Sequence, residues 1–370
     1  MLANPKRRLL LGAGAVAGAI ATPIAAGFAV RSAVGQAHGP AHGGAGTTHA
    51  AAGHGIPGME GDNLIVGAVD HARNGFNPHD ILTDWDVGEV STGPDGRRTR
   101  EWVVTAVDKE VELAPELMFP AWTFNGRIPG PTLRCTEGER LRIVFNNGSA
   151  HPHSMHFHGI HSWRMDGVPY AGLVQPGGQF IYEFDAKPFG CHLYHCHALP
   201  LKRHIHKGMY GAFIVDPDPA RHPEATAVAE SRLLGSARNA EWQEIMICMN
   251  AFDTNFDDEN EIYAANTIPF AYQQKPIRVE RGRKLRIYLV NITEFDPVNS
   301  FHVHGNFFDY YDHGTTLTPT LRVVDTIMQC QGQRGIIEMD WSEHEPGHYM
   351  FHAHQSEFAE LGWMSHFEVV

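Results

Sequence analysis

The chain repeats itself, and the repeat limits what it can become. Arg134 to Ile143 reads RCTEGERLRI, and Arg278 to Ile287 reads RVERGRKLRI, the same pattern 144 residues later. Each copy is followed by an HxHG, at His156 to Gly159 and at His302 to Gly305. Further along, His195 and His197 match His352 and His354, and Gly208 to Val215 (GMYGAFIV) echoes Gly362 to Val369 (GWMSHFEV). Four ordered matches at a nearly constant offset mean a duplicated domain. Within the unit Leu141, Ile143 and Phe145 alternate with Arg142 and Val144. Gly and Pro clusters recur at short intervals and long helical periodicity is missing, so each unit is predicted to be a β-sandwich of about 120 residues. The chain is therefore expected to be all-β, with two sandwiches in tandem over residues 97–217 and 241–370 and a polar, Pro-containing connector over 218–240.

What precedes the first unit reads differently. Lys6, Arg7 and Arg8 lead into an apolar stretch from Leu9 to Val30. This is the layout of an export signal, and the paired arginines favour the twin-arginine route. Small residues near Gly35 and Ala37 offer a cleavage site, so residues 1–37 are read as leader and the protein as exported, periplasmic or extracellular. Uncut, the same stretch is long enough to serve as a membrane anchor. Residues 38–96 form a tail and arm. The tail is Gly, Ala and His, including His38, His42, His49 and His54, with too few large apolar groups to offset chain entropy, and is expected to be a linker. A copper-scavenging tail is the sharper alternative. The net charge of −13 excludes a basic nucleic-acid footprint.

The 25 histidines ask for a metal or a pH switch. Successive side chains of a strand face opposite sides, so an HxH puts both imidazoles on one face. Four such pairs occur, His156/His158, His195/His197, His302/His304 and His352/His354, at equivalent points of the duplicated unit. Buried imidazoles need partners, and nothing else in the chain requires eight of them. His195-Cys196-His197 is the most informative tripeptide: two imidazoles point one way and the thiolate the other. A thiolate with two imidazoles and a weak thioether makes a blue-copper electron-transfer site. The remaining donors stand nearby: His153, and then His204 or His206, with Met209 in HIHKGM. Five cysteines leave one over by parity, and Cys196 is that one; Cys135 and Cys191, like Cys248 and Cys330, either pair within their halves or stay as buried thiols.

Assembled, these motifs over residues 97–370 resemble the two-domain multicopper oxidases, the small laccase-like proteins built from cupredoxin Greek-key sandwiches. His153-x-x-His156-x-His158 resembles their HxxHxH element, and His195-Cys196-His197 with His204 and Met209 resembles their HCH element. His302-x-His304 and His352-x-His354 resemble the other two. The resemblance implies four coppers per chain. His153, Cys196, His204 and Met209 would hold the type 1 copper, with His204 preferred to His206 on family spacing. His156 and His302 would hold the type 2 copper, and His158, His195, His197, His304, His352 and His354 the type 3 pair. Ala353 stands where the first unit has Cys196, so only one blue site is possible, in the first domain. The family subgroup with that placement forms homotrimers, with each trinuclear cluster between the first domain of one chain and the second of its neighbour. The spacing from Cys196 to His204 is closer to the copper nitrite reductases, whose architecture is similar. Those reductases typically carry aspartate where His156 stands and a non-histidine where His197 stands.

The expected activity is oxidation of a phenolic, aromatic amine or metal-ion donor with reduction of dioxygen to water. Copper nitrite reduction is the alternative, and copper storage a third reading. The methionines are scattered, with no Met-rich insert to receive cuprous ion, which favours small organic donors. Asp166, Asp309 and Glu357 are in sequence reach of the histidines for proton delivery, but each reads first as an ordinary loop or surface carboxylate.

Overall fold

The computed structural model describes residues 68–370; the leader and the Gly/Ala/His tail lie outside the described residues. Strand formation follows the alternation. Arg140–Asn147 buries every second residue, with Leu141, Ile143 and Phe145 inward, and Thr326–Cys330 does the same with Ile327 and Gln329. In the first sandwich one sheet orders Glu89–Thr92, Arg98–Ala114, Arg140–Asn147 and Gln179–Asp185, with Leu117–Phe124 pairing Arg98–Ala114. The facing sheet orders Trp85–Asp86, Thr132–Thr136, Tyr210–Asp216, Gly190–His195 and His156–Phe157.

The second sandwich repeats the plan. One sheet orders Ile262–Ala265, Trp242–Phe252, Lys284–Asn291, Arg334–Met339, Phe308–Asp312 and Leu321–Val324. The other orders Ile277–Val279, Met364–Val369, Gly347–His352, Val298–Val303 and Thr326–Cys330. Equivalent parallel pairs recur in both units, Arg98–Ala114 with Arg140–Asn147 and Trp242–Phe252 with Lys284–Asn291. Neighbours far apart in sequence are the crossovers of Greek-key sandwiches.

Three large apolar clusters hold the molecule. One fills the first sandwich around Phe145, Tyr182 and Tyr194, and one fills the second around Phe301, Phe351 and Trp363. The third lies between them: Cys191, Leu193, Ala212 and Ile214 from the first unit meet Met246, Cys248, Tyr288, Val290 and Ile336 from the second. The strand Gly190–His195 is thus buried on both faces, one toward its own core and one toward the second sandwich.

A buried ionic network clamps the same junction. Arg134 is 1% exposed and meets Asp216 at 3.0 Å and Glu244 at 2.7 Å; Arg286 meets Glu244 and Glu338, both at 2.8 Å. The network ties the first unit to the second, and the segment between them joins it. Arg134 donates to the Arg232 carbonyl at 3.0 Å, and the buried Arg232 guanidinium lies 4.2 Å from the Tyr311 ring. The polar composition of 218–240 disguises this ordered piece, whose helix Thr226–Arg232 delivers the arginine.

Burial would raise the Glu244 carboxyl, but Arg134 and Arg286 outweigh it and hold it down at about 2. A depressed carboxyl contributes stability above its ordinary range, and that contribution is lost as pH falls toward the folded value. Glu244→Gln leaves two guanidinium groups short of a buried partner, and is expected to cost about 3 kcal/mol in urea denaturation at neutral pH. The gap to wild type should narrow as the pH is lowered from about 5 toward 2; a gap independent of pH would remove Glu244 from the clamp.

Candidate metal centres

The strand Gly190–His195 and the residues just after it generate two donor sets. Tyr194 and Cys196 turn into the core of the first sandwich, while His195 turns to the other side with Cys191 and Leu193. At Cys196 three donor atoms converge: Sγ lies 3.2 Å from His204 Nδ1 and 3.7 Å from His153 Nδ1, and the two nitrogens are 3.1 Å apart. All three side chains are buried. His204 arrives on the short helix Leu201–His206. The chain then reverses at Gly208, where φ is +108° and a Cβ would strike Ile128, so that Met209 returns beside the thiol. The Met209 carbonyl accepts from Cys196 N at 2.9 Å, and its buried side chain belongs to the same apolar cluster as Cys196. His206 points elsewhere, to the Asp253 carbonyl at 2.9 Å.

The chemistry of this trio suits a soft cation. Burial pushes the Cys196 thiol up to about 11, although the amides of Ala198 and Ser154 pull it back. Burial likewise lowers His153 to about 3, with His204 adding to it, and His204 to about 4. Two neutral imidazoles and a thiol that ionises only beside a cation form the donor set of a copper–thiolate site. His153 Nε2 lies 2.9 Å from Ser149 Oγ, which donates to Asp108 at 2.6 Å, so the ring is oriented from behind. The Trp122 ring lies 4.8 Å from that of His204 and 5.4 Å from that of His153. Its other surroundings form an open cleft of about 660 Å³, with Phe256, Arg203, Lys207 and Asp108 among its walls.

The HxH residues gather into two sets. In the first, the His156 ring lies 5.2 Å from His158, 5.2 Å from His195 and 5.3 Å from His197. In the second, His302 lies 5.0 Å from His304, 5.3 Å from His352 and 5.2 Å from His354, and the Nε2 atoms of His304 and His352 are 2.9 Å apart. The two sets are oriented by duplicated contacts. His156 Nδ1 donates to the Asp166 carbonyl and His302 Nδ1 to that of Asp325, at 2.8 and 2.9 Å. His195 Nδ1 donates to the Cys196 carbonyl and His352 Nδ1 to that of Ala353. A carbonyl only accepts, so these four rings carry their proton on Nδ1 and offer Nε2 to a metal.

His158 differs: Arg334 reaches from the second sandwich to its Nδ1 at 3.1 Å. A metal on His158 Nε2 would turn Nδ1 into a donor, leaving Arg334 to the carbonyls of Cys191 and Gly332 that it already meets. Of the three acids in sequence reach, Asp166 approaches a site imidazole, with Oδ1 3.2 Å from His156 Nδ1, whereas Asp309 pairs with Arg322.

Several supporting residues were not singled out from sequence. Ser154 Oγ accepts from His197 N at 3.0 Å, and Ser300 Oγ accepts from His354 N at 2.7 Å. Both serines stand two residues before an HxH, so the repeat itself carried the signal. Trp122 and Arg334 lie in distant segments, and Ser149, four residues before His153, is marked by no motif. All five cysteines are free thiols: Cys135, Cys191, Cys196 and Cys248 are buried and Cys330 is exposed, which settles the pairing alternatives in favour of thiols.

Fold and donor sets together define a copper protein of tandem cupredoxin domains, and the chain belongs to the multicopper oxidase family: it matches that family over residues 106–220 and again over 243–370. It is 50% identical to a multicopper oxidase of known crystal structure, with a TM-score of 0.74 over 82% of this chain and all of that one. It is 29% identical over 238 residues to a probable nitrite reductase-hydroxylamine oxidoreductase fusion protein of Kuenenia stuttgartiensis, covering 58% of this chain and 25% of that protein. It is also 28% identical over 211 residues to a copper-containing nitrite reductase of Neisseria meningitidis, covering 55% of this chain and 52% of the other. The chain thus spans about half or less of these two relatives.

Ser149→Ala frees the back of His153 and is expected to weaken copper at the Cys196 trio about tenfold or more in chelator competition. The His302 set, which shares no residue with Ser149, should hold its metal unchanged.

Proposed function

We propose that this protein is an exported copper oxidase that takes single electrons from a small phenolic or aromatic amine donor and reduces dioxygen to water. The observation that carries the reading is the complete set of eight HxH imidazoles, several of them held by the same backbone contacts in both units. His153, Cys196, His204 and Met209 would hold the type 1 copper. His156 and His302 would hold the type 2 copper, and His158, His195, His197, His304, His352 and His354 the type 3 pair. With four coppers bound per chain, the metals would supply one-electron storage and the four-electron reduction of dioxygen.

The protein's part is positioning. Trp122 separates the cleft from the His153 and His204 rings, so an aromatic donor stacked there is in ring contact with the electron-accepting site. The cleft offers Phe256 as a second apolar wall, and Lys207 Nζ lies 4.7 Å from its ring. Cys196 and His195 are adjacent in the chain and face opposite sides, which makes the backbone between them the short path from one centre to the other. Asp166, beside His156, is placed to hold a proton there.

We infer the assembly from where the two imidazole sets lie. The first set touches the second sandwich of its own chain at Arg334 and near Gly332. The second set lies on the outward face of the far sheet, where His302 pairs with Thr326 at the other end of Thr326–Cys330. At about 3.3 Å per residue, that strand separates them by roughly 15 Å or more. Among the described residues no ring contact joins the sets. Apolar side chains stand exposed after each: Ile160, Trp163 and Tyr170 follow the first, and Phe307 follows His304. A head-to-tail contact between unlike domains that closes makes a ring, and a homotrimer with interchain clusters completes each site. Residues 1–37, read as a leader, support export, or anchoring if uncut.

Nitrite reduction is the second reading, favoured by the names of two curated relatives. Metal analysis separates them, since the oxidase needs four coppers per chain and the reductase two. Oxygen uptake with a phenolic donor, at four coppers per chain, is the expected result; two coppers with nitrite-dependent turnover would replace the reading. Cys196→Ser is expected to abolish the visible thiolate band and donor oxidation while the imidazole clusters stay loaded; a persisting blue band would overturn the assignment of Cys196. In sedimentation, oxygen reduction should follow the trimer, and an active monomer would refute the shared cluster.

A further inference from the structure

The outward face of the sheet that carries His302 and His352 holds more soft donors than the clusters use. Residues opposite one another in an antiparallel ladder share a face. Three successive pairs on Gly347–His352 and Met364–Val369 are His348 with Glu368, Met350 with His366, and His352 with Met364. Their neighbours Tyr349, Phe351, Phe367 and Ser365 point the other way, into the sandwich. The first two pairs form a square of two imidazoles, a thioether and a carboxylate. The His348 and His366 rings are 6.3 Å apart, and His348 Nε2 is 4.0 Å from a Glu368 oxygen. Met350 is half-buried and packs against the cluster of Met364, Phe270 and Ala359, so it is the less accessible member beside the exposed His348 and Glu368. His348 and Glu368 are exposed at its mouth, with 60% and 48% of their side chains accessible.

We propose that His348, Met350 and His366, with Glu368 at the rim, form an accessory cuprous-ion site that receives copper and hands it along the strand to the His302, His304, His352 and His354 set. Imidazole and thioether donors select Cu(I). The third pair in the row, His352 with Met364, joins the square to a cluster ligand without a break. Transfer is a ligand exchange: the ion leaves His348, Met350 and His366 for the imidazoles of the cluster, with no change in oxidation state. The handover rests on the second HxH set holding copper, as proposed above; binding at the square does not.

The site is tested with silver(I), which has the donor preference of cuprous ion and no redox chemistry under these conditions. In a Cys330→Ser background, which removes the exposed thiol that would itself take silver, copper-loaded protein under nitrogen is expected to retain one further silver ion per chain through gel filtration, with sulfur and nitrogen scatterers at the silver absorption edge. The His348→Ala/His366→Ala protein should lose it. Met350→Leu keeps the volume and the packing, and should remove the sulfur scatterer and weaken silver about tenfold or more. No retained silver in wild type, or equal retention in the double variant, would overturn the site. Copper-free protein exposed to cuprous ion should fill its clusters several-fold more slowly in the double variant, and reach the same copper content and turnover. Equal filling rates would overturn the handover. Silver retained by a protein that never reduces dioxygen would fault the oxidase reading and leave the accessory site standing.

Discussion

The period-two alternation of one strand underlies both candidate centres. Gly190–His195 must bury Leu193 against the second sandwich and Tyr194 in its own core, because both faces are covered by apolar surface. A slip of one residue would exchange those faces wholesale. With the register held, Cys196 lies inside the first sandwich and His195 outside it, and no other placement is open to them. The Cys196 donor set and part of the first imidazole set are therefore consequences of how one strand packs. Their separation is set by the thickness of a backbone.

Around that strand the domain junction is unusual in being both greasy and ionic. The apolar cluster between the sandwiches supplies non-directional burial, while Arg134, Glu244, Arg286 and Glu338 demand specific geometry, since a buried charge without its partner is costly. Arg334, which reaches both His158 and the Cys191 carbonyl from the second sandwich, makes the first imidazole set sensitive to the same docking. The junction and the cluster are thus mechanically one unit within each chain. The second imidazole set is on the far side of its sandwich, away from that junction.

Duplication explains why the two sets resemble each other down to their supporting contacts. The serine before each HxH, the carbonyl behind each first histidine and the carbonyl after each second one recur because the sheets that place them recur. Divergence is confined to what the core requires. Ala353, where the first unit has Cys196, is buried in the apolar core of the second sandwich, and Trp363, whose carbonyl accepts from Ala353 N, stands where the first unit has Met209.

Alternation and HxH spacing act over a few residues and the repeat displays them twice, so the two-sandwich plan and the candidate histidines are legible in the chain. It left His204 and His206 to be separated by family spacing; the short helix Leu201–His206 decides it geometrically by turning one ring to Cys196 and the other to Asp253. Trp122 and Arg334 are invisible in the sequence, since their roles depend on contacts between segments tens to hundreds of residues apart, and Ser149, though only four residues before His153, is marked by nothing in the local spacing. Met350 and Met364 are brought onto one sheet face by the pairing of Gly347–His352 with Met364–Val369. The polar stretch 218–240 reads as a connector, yet Arg232 is drawn into the buried junction by Glu338 and Tyr311. Local spacing writes ligand identity into the chain, whereas orientation, support and access depend on long-range burial, which only the tertiary structure decides.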